Sequence, residues 1–79
     1  RQGQIQQAIQ SYRECVSILE ASLEQYPGLI GHRKELAIAL NNLGLVLSKK
    51  GNYFEASDSF EKSTSLISAI ADTDPSDLD

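Results

Sequence analysis

The sequence predicts an all-α fold: three antiparallel helices at about residues 4–25, 29–50 and 53–71. Three observations carry that expectation. Apolar residues recur at spacings of three and four through three stretches, the signature of a helix face rather than of a strand. Two glycine-containing breaks, Pro27-Gly28 and Gly51-Asn52, separate those stretches. Finally, the chain repeats itself. Gly3, Ser11, Ser17, Ala21 and Pro27 reappear as Gly51, Ser59, Ser65, Ala69 and Pro75, each 48 residues later.

In the first helix, Ile5, Ala8, Ile9, Tyr12, Cys15, Val16, Leu19, Leu23 and Tyr26 form the apolar side. Gln7, Gln10, Ser11, Glu14, Ser17 and Glu20 lie opposite, as on a surface helix. Pro27-Gly28 ends it. The second helix, Leu29 to Lys50, carries Leu36, Leu40, Leu43, Gly44 and Leu47 on one face. Ile38 and Leu45, seven apart, make a second apolar strip, so this helix is expected to lie between neighbours. Lys49 and Lys50 suit the carbonyl end of its dipole, and Gly51 is a natural C-terminal stop. Asn52 is placed to cap the third helix, with Glu55 reaching back as in a capping box. Tyr53, Ala56, Phe60, Thr64 and Ile67 are expected on one face of that helix, with Asp58 and Lys62 paired on its exposed side. The small residues Gly44 and Ala56 would let the two helices approach closely, Tyr53 and Phe60 filling the space beside them.

The order Leu40, Leu43-Gly44, Leu47, Gly51-x-Tyr53, Ala56, Phe60, Ser63 resembles the tetratricopeptide repeat. Leu40 stands for the family's usual Trp, Leu47 for its first-helix Tyr and Ser63 for its final Ala. The resemblance implies a right-handed superhelical solenoid of helix hairpins. An ordinary repeat is about 34 residues, so a 48-residue period adds about two turns to each helix. Seven extra residues rotate the buried face by only about 20°, so the packing logic survives. On this reading residues 1–26 hold the second helix of an incomplete repeat, 27–71 one complete hairpin, and 72–79 the truncated start of a following repeat or a frayed tail. Asp74-Pro75 suits a helix start. The first residue is Arg1, not Met, and the chain is expected to be a piece of a longer array.

No catalytic constellation, cofactor motif or metal-ligand cluster is legible. His32 is the single histidine and reads as a solvated helix-start residue. Cys15, the single cysteine, takes the place of a small buried packing residue; it cannot form a disulfide within the chain and favours a reducing compartment. We expect a cytoplasmic protein. A net charge of −4 disfavours a nucleic-acid surface, and no apolar run approaches the ~18 residues of a membrane span. Gly28-x-x-Gly31 lacks the ending of a phosphate loop.

The resemblance implies a protein-interaction scaffold with a concave groove lined by the first helix of each hairpin. Ile38, Asn41, Asn42, Leu45 and Lys49 would face that groove and meet a peptide or a partner helix. Ile38 and Leu45 stand where a carboxylate-gripping branch of the family has Lys or Asn, so such a clamp is not expected. Two further readings stand beside the scaffold. One is a regulatory segment of a larger bacterial multidomain enzyme such as a serine/threonine kinase, since the long period, with Arg33-Lys34-Glu35-Leu36-Ala37 before the Leu-rich helix, resembles arrays in such signalling proteins. The other is a self-assembly module whose end helices pair with further copies.

Overall fold

The computed structural model of the chain describes residues 2–73, with side chains over 3–70. Three α-helices follow one another: α1 Gln2–Gln25, α2 Ile30–Lys50 and α3 Tyr53–Thr73. The helix α3 runs to Thr73. The expected helix start at Asp74-Pro75 lies outside the described residues.

Between α1 and α2, Leu29 N–H donates to Tyr26 O at 3.3 Å and Arg33 Nη2 to Pro27 O at 2.6 Å, closing a tight turn around Pro27-Gly28. Between α2 and α3 the stop is a Schellman motif. Gly51 takes φ 95°, its N–H donates to Ser48 O at 3.0 Å, and the Asn52 N–H donates to Leu47 O at 2.9 Å. That second bond also overturns one expectation. A capping box needs the Asn52 N–H for Glu55, but the end of α2 has already taken it. Glu55 reaches across to Arg13 of α1 instead, at 2.6 Å.

The cross-helix bonds fix the arrangement. Lys50 donates to Gln6 at 2.5 Å and Ser22 meets His32 at 3.2 Å, so α1 and α2 are antiparallel. Ser63 Oγ donates to Ala37 O at 2.7 Å, which makes α2 and α3 antiparallel as well. Among the described residues no Cα of α1 comes within 8 Å of one of α3, so both rest on α2. The core is a single cluster: Ile9, Val16 and Leu19 from α1; Leu36, Ala39, Leu40, Leu43 and Leu47 from α2; Ala56 from α3. The expected sandwiching of α2 is therefore present. It uses the Leu36–Leu47 side, however, and the Ile38/Leu45 strip stays open.

Gly44 shows why a glycine stands in this helix. A Cβ there would lie 2.7–2.9 Å from three ring atoms of Phe60. Phe60 thus fills the space beside Gly44 as expected, whereas Tyr53 does not and is 70% exposed. The buried face of α3 is correspondingly Ala56, Ser59, Ser63 and Ile70, with Thr64 and Ile67 outward.

The 48-residue register then explains a second correction. Cys15 is exposed, while its equivalent Ser63 is buried against α2. On α3 the stripe Ala56, Ser59, Ser63 is covered by α2; on α1 the stripe Ala8, Ser11, Cys15 faces away from α2. The same residue position is buried in one helix and open in the other because different faces of α1 and α3 meet α2. His32 is likewise less solvated than expected, half-buried with its Nδ1 beside Ser22 Oγ.

Candidate interaction face on the central helix

A helix packed on two sides has one side left, and on α2 that side is an unbroken strip. Ile38, Asn41, Leu45 and Lys49 follow at intervals of three, four and four, all exposed. The strip spans about 16 Å along the axis at 1.5 Å per residue. Asn42 sits at its edge, half-buried. Sequence reasoning missed Lys34, which is exposed four residues before Ile38 and extends the strip; the same spacing rule would have included it.

The chemistry of this strip is mixed in a useful way. Ile38 is 61% and Leu45 49% exposed, each one helical step from the Asn41 amide. Burying an Ile or Leu fully contributes about 1.5–3 kcal/mol, so a docked partner has apolar surface to gain here. The amide offers both donors and an acceptor, able to register a peptide backbone without charge. Lys49 places an ammonium at the C-terminal end of α2, with no carboxylate within ion-pair distance among the described residues. Lys50, by contrast, is held by Gln6.

Among the described residues no three His, Cys, Asp or Glu side chains gather where a metal would sit. Among the described residues no helix is long and apolar enough to cross a membrane. An open cleft of about 620 Å³ lies away from the strip, along Tyr53, Ser57, Phe60 and Thr64. The equivalents on α1 are Ile5, Ile9, Tyr12 and Val16, which pack into the core with α2. By the 48-residue register this cleft is the counterpart of the α1 face that packs on α2, with Ser57 and Thr64 in place of Ile9 and Val16.

Residues 1–69 match a family model described as Tetratricopeptide repeat. No curated protein and no solved structure matches the chain significantly.

Proposed function

Since the chain belongs to the tetratricopeptide repeat family, we propose that it acts as a protein-interaction scaffold through the outward strip of α2. The family mediates protein–protein interaction, and its repeats are typically non-catalytic. The occupant of the strip is an extended peptide or a partner helix. Ile38 and Leu45 supply apolar contact, Asn41 and Asn42 orientation, and Lys49 a charge at one end. One observation carries this reading: two large aliphatic side chains, Ile38 at 61% and Leu45 at 49% exposed, stand seven residues apart on a helix whose other apolar residues are buried or half-buried. A catalytic domain on the same polypeptide is one partner such a face would serve.

The test is selection of binding peptides from a random displayed library on the full chain. Selected peptides are then titrated against the wild type and an Ile38→Asp/Leu45→Asp variant. Affinity should fall at least about tenfold, since two apolar anchors of about 1 kcal/mol or more are lost. Peptides that bind both proteins equally would place the interaction elsewhere. A library that yields no binder would end the proposal.

A second reading, self-association, is favoured by Ile67 and Ile18, which are 55% and 69% exposed on the outer sides of α3 and α1. Light scattering across a concentration series should then show mass rising with concentration. A constant monomer mass would exclude it.

A further inference from the structure

The strip on α2 is not the only surface open to a partner. On the opposite side α1 and α3 lie side by side across α2, bridged by Arg13 and Glu55. Since their backbones stay more than 8 Å apart, a cleft remains between them. Beyond the bridge this cleft measures about 350 Å³. Its base is Leu36 and Leu40 of α2 with Leu66 of α3, and its walls carry Glu20 from α1 and Glu61 from α3. Lys62 also lines it, but its ammonium lies 3.4 Å from Asp58, one turn earlier on the same helix. Neither Glu20 nor Glu61 has a cation within ion-pair distance among the described residues.

We propose that this cleft is a second docking surface, one that takes a basic side chain of a partner protein, arginine in particular. Its size, lining and charge are complementary to such a side chain. The volume is near the low end of ligand pockets and fits one or two side chains rather than a cofactor. An apolar base between two carboxylate-bearing walls matches a side chain with an aliphatic stem and a cationic head, which lays the stem on hydrocarbon and keeps the head at the rim. Arginine suits it better than lysine, because its planar fork carries five donors that can address carboxylates on two sides. The net charge of −4 steers a cationic partner toward this chain. The face is distinct from the α2 strip, and the proposal stands or falls separately from the scaffold reading.

The probe is the peptide acetyl-Ala-Leu-Arg-Leu-Ala-amide, titrated into the full ¹⁵N-labelled chain and followed by amide chemical shifts. We expect saturable shifts at Glu20, Leu40, Glu61 and Leu66. The double variant Glu20→Gln/Glu61→Gln should weaken binding about fivefold, as should replacing arginine by neutral citrulline. Both glutamates are exposed and the substitutions conserve shape, so helicity should be unchanged. Binding should also persist in the Ile38→Asp/Leu45→Asp variant. The proposal is overturned by shifts that do not saturate, by shifts centred on Ile38 and Leu45, or by equal binding to the Gln variant. Concentration-dependent shifts at the cleft without peptide would assign it to a second copy of the chain and overturn the proposal too.

Discussion

Replacing Gly44 by alanine sets two opposing effects of similar size against each other, and the geometry decides the sign. In a helix interior, Gly→Ala is favourable by about 0.5–1 kcal/mol from backbone entropy alone. Here the new methyl would sit 2.7, 2.8 and 2.9 Å from Phe60 Cε1, Cζ and Cδ1. Carbon atoms pack at about 3.5–4.0 Å, so the overlap is about 1 Å against three atoms at once. Overpacking of this kind costs about 1–3 kcal/mol. The net expectation is a loss of about 1 kcal/mol, read from urea unfolding by circular dichroism. For a chain of this size that is a drop of about 4–8 °C in Tm. The decisive measurement is the same substitution in a Phe60→Ala background. With the ring gone, only the helix term remains, and Gly44→Ala should stabilise by about 0.5–1 kcal/mol. A sign reversal across the cycle reports the ring on the glycine. If Gly44→Ala stabilises both backgrounds equally, the ring yields freely and the close-approach argument is wrong.

Three further outcomes follow from the same contacts. Gly51→Ala should cost about 1–2 kcal/mol, because φ is 95° and no neighbouring atom lies near the added methyl, leaving backbone strain as the cause; Gly51→Asn should cost less, and equal thermal melts for all three proteins would contradict the αL stop. Leu47→Ala, at a fully buried position, should cost about 2–5 kcal/mol and leave little folded protein at 37 °C by circular dichroism. Arg13→Gln should cost no more than about 0.5 kcal/mol, since both partners are about half exposed, and the difference should vanish in high salt; a loss above about 1.5 kcal/mol would mean that the bridge holds α1 and α3 together.

Much of the fold was legible because it rests on local physics. The spacing of Leu36, Leu40, Leu43 and Leu47 is enough to specify a helix and its buried side. Lys49, Lys50 and Gly51 are enough to specify where it stops, since dipole and positive φ act within one turn. The Asp58–Lys62 pair was equally local and is present at 3.4 Å. The exposed strip on α2 was legible in part. Periodicity alone groups Ile38, Asn41, Leu45 and Lys49, yet nothing in periodicity distinguishes an open apolar strip from a packed one.

Packing settled which of several equivalent faces each helix uses. Cys15 and Ser63 hold the same place in the repeat, but only Ser63 meets α2. Tyr53 and Phe60 were both candidates to flank Gly44, and the ring that lies against it belongs to Phe60. Glu55 had a plausible local partner in the Asn52 N–H, but the Schellman bond to Leu47 occupied that donor and an arginine 42 residues away took the carboxylate. The three helices, the breaks between them and the 48-residue register follow from the order of residues alone, because spacing, capping and backbone preference act between neighbours. Burial and pairing waited on the tertiary structure, because they depend on which helix lies opposite, and that is a property of the packed chain rather than of any residue in it.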